Sequence, residues 1–316
     1  MRQEMGLRLK QHPHKKFVRD ILRNKYIYLL LLPGILFYLL FAYGPMYGII
    51  LAFKDYTFKG GILGSPWVGL EKFRMLFVEP EFIQAFKNTI IISFGKIIFG
   101  FPIPILLAIL LNELRFKKFK KTLQTVFTFP HFLSWIIISS IVLNIFGNLG
   151  AVNNLLSVLG LERQHFLADK QLFRPLLYIT DIWKEAGWSS IIYLAAISGI
   201  NPELYEAATI DGANRFQKIR YVTWPGMRSV AELLLLLSIG QVMNAGYGFD
   251  QVFNLYNPTV YEVGDIIDTF VYRITFQRPP DFGFSTAVGL FKSVINFGLL
   301  VTADRVAKAL GQRGIF

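Results

Sequence analysis

The sequence predicts an all-α integral membrane protein: a bundle of six transmembrane helices with both termini on the cytoplasmic side. Three observations predict it. Of the 316 residues 53% are hydrophobic, and the mean hydropathy is +0.43, too apolar for a soluble globular chain of this length. Several apolar runs approach the ~20 residues that a helix needs to cross a bilayer. The basic residues behind the net charge of +12 cluster beside those runs, as they do in cytoplasmic loops. That placement makes the charge a topology signal and argues against nucleic-acid binding. Cysteine is absent, which excludes disulfides and thiol metal sites.

Residues 1–25 are polar and basic, with Arg2, Arg8, Lys10, Lys15, Lys16, Arg19, Arg23 and Lys25, and read as cytoplasmic. Residues 26–85 hold the first span, Tyr26 to about Phe53, and an outer loop. A cleaved signal peptide has the same basic-then-apolar plan. Here the apolar run continues past Tyr43-Gly44-Pro45 to Ala52 with no small-residue cleavage site. It therefore reads as a retained helix, kinked at Pro33 and ending near Pro45. The core spans 86–303. Its second span is Asn88 to Leu111, bent by Pro102 and Pro104. Arg115, Lys117, Lys118, Lys120 and Lys121 then mark a cytoplasmic loop. The third span covers 126–146, the fourth Leu172 to Ala196, the fifth Val230 to Tyr247 and the sixth Phe282 to about Thr302. Outer loops cover 147–171 and 248–281. In the latter Asp250, Glu262, Asp265, Asp268 and Asp281 outweigh Arg273 and Arg278. Residues 304–316 form a cytoplasmic tail.

Between the fourth and fifth spans lies 201–227, polar and mixed in charge. Such a segment stays out of the hydrocarbon, where charge and unpaired backbone are costly. Pro202 suits the first turn of a helix, and Glu203 and Glu206 are read into that turn, where the helix dipole favours negative charge. Leu204, Ala207 and Ala208 share an apolar face. Gly212 ends the helix, and Phe216, Ile219 and Val222 restart an apolar stripe before Pro225. The expectation is two short helices with a sharp bend at Asp211-Gly212. An ordinary amphipathic helix resting on the bilayer is the bland reading of this loop.

The same residues carry a resemblance. Glu206-Ala207-Ala208, three residues, Gly212, nine residues, then Val222-Thr223-Trp224-Pro225 resembles the cytoplasmic loop of permease subunits in ABC importers. That pattern runs Glu-Ala-Ala, three residues, Gly, nine residues, Ile-x-Leu-Pro. Val222 and Trp224 depart from it but keep apolar bulk. Val68-Gly69-Leu70-Glu71-Lys72-Phe73, followed by Ala85 to Thr89, resembles the stretch before the second span in carbohydrate-type permeases, with Lys72 where Asn is usual. The resemblance covers the chain from about Lys25 onward. It implies the type I ABC importer permease fold and a role in taking up a polysaccharide or complex oligosaccharide, such as alginate or rhamnogalacturonan fragments. It also implies partners: a second permease subunit, two cytoplasmic ATPase subunits that bind ATP and Mg, and an extracytoplasmic sugar-binding protein. This chain would bind no cofactor and catalyse nothing itself. The loop would be a coupling helix seated in a groove of an ATPase subunit. Its expected contacts are Glu203, Tyr205, Glu206, Ala207, Ala208, Asp211, Gly212, Ala213, Phe216 and Pro225. Glu206 would cap or bond within the groove, the two alanines would permit close approach, and Gly212 would permit the bend.

No GxxxxGK[ST], HExxH or GxSxG motif occurs, and the four histidines are scattered. Polar residues at membrane depth are the remaining candidates, because they face a bundle interior or a water-filled path. Lys96, Asp181, Lys184, Trp188, Gln241, Asn244 and Lys292 are the substrate-path candidates. Lys96 and Lys292 have no acidic neighbour on their own helices and would accept an anionic or hydroxyl-rich sugar. Asp181 and Lys184, three apart on a helix, would neutralise one another, either as packing or as path lining. Asn144 and Asn296 read as interhelical hydrogen-bonding groups. Trp183 and Trp188 are candidate sugar-stacking rings. A self-contained secondary sugar transporter is the competing class. It would need midplane ion sites and usually repeated halves, and no repeat is found.

Overall fold

A computed structural model describes residues 23–309, 311 and 314. Most of the basic N-terminal segment, from Arg2 to Arg19, lies outside the described residues. Among the described residues there is helix, turn and a single isolated bridge between Lys54 and Trp67, but no strand. Helix α1 is Lys25–Phe53 and α2 is Pro80–Asn112. Helix α3 is Lys117–Thr128, α4 is Trp135–Phe146 and α5 is Lys170–Ser198. Helix α6 is Pro202–Ile210 and α7 is Arg215–Ile239. Helix α8 is Phe249–Leu255, α9 is Ile267–Phe276 and α10 is Phe282–Ala309.

Three of the long helices pass a proline in the same way. A π-helical turn spans Leu39–Tyr43 ahead of Pro45, Lys96–Gly100 ahead of Pro102 and Ile219–Thr223 ahead of Pro225. Proline lacks the amide proton that an α-turn needs. Widening the turn just before it changes the hydrogen-bond register and lets the helix continue. This overturns two expectations. Helix α1 does not end near Pro45 but runs to Phe53, and the second loop helix does not stop before Pro225 but continues into the fifth span. The third span is more broken than expected. Pro130 sits in a 3-10 turn, Phe129–Phe132, and Ser134 then caps α4 by accepting from the Ile137 amide at 3.4 Å.

Among the described residues, five helices are long and apolar enough to cross a membrane: α1, α2, α7, α10 and the stretch Trp135–Val158 that begins with α4. Helix α5, with 29 residues, has the length, about 43 Å, but Asp181, Lys184 and Glu185 make it too polar to count among them. Its charges point into the protein, where they have partners. The fifth span also breaks early. Helix α7 ends at Ile239, and Ala245, Gly246 and Tyr247 follow with φ of 47°, 58° and 60°. Two of these three are not glycine, so this left-handed run is strained.

Three apolar clusters hold the bundle. One joins Ile92, Ile138, Phe173, Leu177, Val252 and Ile266. A second joins Leu76, Phe82, Met243, Phe270, Phe284 and Val288. A third joins Ile105, Ala108, Leu111, Tyr193, Ile197 and Met227. Where α5 crosses α3, Gly187 has no room for a side chain: a Cβ would lie 2.0 Å from the Phe127 carbonyl oxygen. By contrast, α1 has no buried residue before Ala52. On the expected outer side, Lys72 Nζ donates to Asp55 at 3.0 Å and Asp281 at 2.8 Å, tying the first outer loop to the start of α10. Burial pulls the Lys72 pKa down, but the bonds and charges of the two carboxylates outweigh it and hold the ammonium above its ordinary value.

Candidate functional site

The loop 201–227 forms one short helix, α6, and the first turns of α7 after a bend. Asn201 caps α6, its side chain accepting from the Glu203 amide at 3.0 Å, and Pro202 takes the first helical position. Glu203 lies in the first turn; Glu206 falls just beyond it, a correction to its expected place. The helix closes with the Ala213 amide on the Ala208 carbonyl at 2.8 Å and the Gly212 amide on Thr209 at 3.1 Å, with Gly212 at φ 78°. This is a Schellman termination, which favours glycine at that residue. Asn214 and Gln217 then cap the next turn reciprocally, at 2.9 and 2.8 Å. Tyr205 hydroxyl meets Thr223 Oγ1 at 2.9 Å, and Lys218 Nζ donates to Thr209 Oγ1 at 2.8 Å, so the two arms brace one another. Gly226 lets Ile200 come close enough that a Cβ would lie 2.5 Å from its Cδ1.

No residue of α6 is buried. Leu204 is 54% exposed, Ile210 87%, Phe216 70% and Tyr221 68%. The capped helix therefore presents apolar side chains outward, away from the rest of the described chain. Tyr205, Ala208 and Ala213 are half-buried against the chain; Glu203, Glu206, Ala207, Asp211, Gly212, Phe216 and Pro225 are exposed.

The path candidates sort differently. A cavity of about 430 Å³ between α2, α5 and α7 is lined by Ser93, Lys96, Asp181, Glu185, Ser238 and Gln241, among others. A second, of about 500 Å³, is lined by Gln241, Asn244, Asp268, Lys292, Ser293 and Asn296. A third, also about 500 Å³, shares Asn244 and Asp268 and adds Tyr247, Asp250 and Tyr272. The broken stretch after α7 supplies Gln241, Asn244, Gly246 and Tyr247 to these walls.

Both lysines line cavities, but neither is unopposed. Lys96 Nζ donates to Asp181 Oδ1 at 2.8 Å, and Lys292 Nζ donates to Asp268. The acids come from other helices, which is why sequence neighbours gave no sign of them. The expected Asp181–Lys184 pairing is overturned. Lys184 instead donates to the carbonyls of His131 at 2.7 Å and Leu133 at 2.9 Å, satisfying backbone freed by the break before α4, and sits 3.5 Å from Glu185. It lines no cavity described above. Trp188 stacks on His131, with centroids 4.5 Å apart, and neither it nor Trp183 lines these cavities. Asn296 does bridge helices, accepting from the Met243 amide at 2.9 Å. Asn144 does not; it bonds Ser140 one turn back on its own helix. Sequence reasoning missed Asp268, assigned to an outer loop, and Tyr247, whose signal is backbone strain alone.

Comparison with known proteins places the chain. Residues 100–312 match the family described as the binding-protein-dependent transport system inner membrane component. The chain is 44% identical over 310 residues to the polygalacturonan/rhamnogalacturonan transport system permease protein YteP of Bacillus subtilis (strain 168), covering 97% of this chain and 95% of that one. It is 42% identical over 295 residues to the protein LplB of the same organism, covering 93% and 92%. Its fold superposes with a TM-score of 0.85 on a chain of the crystal structure of a bacterial alginate ABC transporter in complex with an alginate pentasaccharide-bound periplasmic protein, at 39% identity over 94% of this chain and 99% of that one. A bundle of apolar helices, cavities with a few polar groups in their walls and a capped, outward-facing loop helix thus belong together: the chain is a member of the binding-protein-dependent transport system inner membrane components, a multi-pass ABC permease of the cytoplasmic membrane.

Proposed function

We propose that this chain is one of two permease subunits of an importer for acidic oligosaccharides, driven through 201–227 by separate ATPase subunits. The observation that carries the coupling role is the capped helix α6, which buries none of its residues while exposing Leu204 and Ile210. In this reading α6 sits in a groove of an ATPase subunit. The Glu206 side chain has no hydrogen-bonding or ionic partner among the described residues and serves that subunit. ATP and Mg bind there, and this chain supplies no catalytic group. Closure of the ATPase pair moves α6, and the spans rock between inward-facing and outward-facing states.

The reading has α5 as the sixth crossing, with both termini in the cytoplasm and the loops that hold Lys72 and Asp281 facing the binding protein. Charged groups on α5 are tolerated because they line the path or pair within the bundle. The acidic substrate class is drawn from the relatives, named for polygalacturonan, rhamnogalacturonan and alginate, and from the two cavity lysines. The natural absence of cysteine makes the test direct. A single cysteine at Leu204 should cross-link to the ATPase subunit of the purified complex. Cross-linking only to lipid-facing probes, or uptake of sugar by the lone chain, would refute the reading.

A further inference from the structure

Each lysine of the path is held by one carboxylate from a neighbouring helix. Lys96, on α2, is 8% exposed, and among the described residues its single hydrogen-bond acceptor is Asp181 of α5. An ammonium has three donors, so two of them lack a protein acceptor. Room around the group is built in. A Cβ on Gly248 would lie 3.2 Å from Lys96 Nζ, and one on Gly246 would lie 3.4 Å from its Cδ. Both glycines belong to the broken stretch after α7. Lys292 of α10 repeats the plan in the second cavity, with Asp268 of α9 as its single acceptor among the described residues.

Such a pair is poorly explained as a stabilising device. Taking both ions out of water costs about as much as their attraction returns, and an apolar pair of the same volume often serves as well. The arrangement has another consequence. Both cations stand in cavity walls, yet an aspartate neutralises each of them, and Glu185 and Asp250 add further acid to those walls. A carboxylate on an incoming sugar offers the ammonium an equivalent partner. A neutral sugar does not.

We propose that Asp181 and Asp268 are resident stand-ins for substrate carboxylates, holding Lys96 and Lys292 until a uronate group displaces them. The aspartates then determine specificity by competing with the ligand. A sugar without a carboxylate leaves the pairs closed. A uronate opens them, and because each pair joins two helices, opening also releases a tie across the bundle. This rests on the acidic-oligosaccharide reading above and adds to it the resident acids that set the threshold.

The test is ligand binding to the purified importer complex in nanodiscs, without the binding protein, so that its own selectivity does not enter. The probes are trigalacturonate and its fully methyl-esterified, neutral counterpart. The readout is the ratio of their dissociation constants. Removing a charged hydrogen-bonding competitor should move that ratio about tenfold to a hundredfold. Asp181→Asn is expected to raise the preference for trigalacturonate by that amount, and Lys96→Gln to lower it below wild type. The double variant should also lose the preference, though less than Lys96→Gln alone, because that single variant leaves Asp181 unpaired and facing the uronate. Asp268→Asn and Lys292→Gln should repeat the pattern. The double variants carry no unpaired charge, which keeps the comparison available if a single variant assembles poorly. Equal effects of Asp181→Asn on both probes would overturn the inference while leaving the acidic-sugar reading standing. A wild-type complex that binds the two probes equally, or neither, would overturn both.

Discussion

Replacing Gly212 tests whether the geometry of the loop, and not merely its composition, transmits force. Gly212 sits at φ 78° with no heavy atom within 4 Å of where a Cβ would stand. Steric clash is therefore not the cost; the backbone conformation is. A non-glycine residue in the left-handed region loses about 1–2 kcal/mol, with asparagine the mildest and β-branched residues the worst. A 1.4 kcal/mol loss lowers the population of the native turn about tenfold relative to its alternatives. The Schellman bonds from Ala213 to Ala208 and from Gly212 to Thr209 depend on that turn, and through them the angle between α6 and the helix that becomes the fifth span. The expected series is Gly212→Asn close to wild type, Gly212→Ala intermediate, and Gly212→Val with uptake reduced about tenfold or more. ATP hydrolysis by the assembled complex should fall less than uptake, so the ratio of sugar moved to ATP consumed declines along the series. The assay is paired measurement of both rates in proteoliposomes, with complex yield as the control for assembly. Normal uptake in Gly212→Val, or equal damage by asparagine and valine, would refute the reasoning.

Other substitutions follow from the same geometry. Gly187→Ala forces a Cβ to 2.0 Å from the Phe127 carbonyl, and the backbone shift should cost about 1–3 kcal/mol, seen as a lower thermal midpoint of the purified protein. Tyr205→Phe removes the bond to Thr223 at 2.9 Å; about 1 kcal/mol of loop stability should go, read as faster amide exchange over 205–223, and unchanged exchange would contradict it. Lys72→Met breaks the tie between Asp55 and Asp281 and should cost about 1 kcal/mol, a modest figure because both carboxylates are well exposed. Its pKa is raised, so this contribution is fully present below the ordinary value of 10.5 and lost as pH rises through the higher folded value. The midpoint difference between wild type and Lys72→Met should stay level through neutral pH and shrink only in strong alkali.

The sequence by itself determined what depends on local chemistry. Apolar runs and flanking charge gave the helical membrane architecture. Pro202, Asn201 and Gly212 gave a capped loop helix with a bend, because caps, the first helical turn and positive φ are decided within a few residues. The position of Lys96 and Lys292 within long apolar helices was readable as well, since both fall mid-run. What only the tertiary structure decided is which groups meet. Lys96 and Asp181 are 85 residues apart and Lys292 and Asp268 are 24 apart, on different helices, so no helical periodicity could pair them. The plausible i,i+3 partner of Asp181, Lys184, turns away to the carbonyls freed by the break near Pro130. Local spacing allows an ion pair, but a buried ammonium goes to the acceptors that packing brings within reach, and packing is a property of the whole bundle.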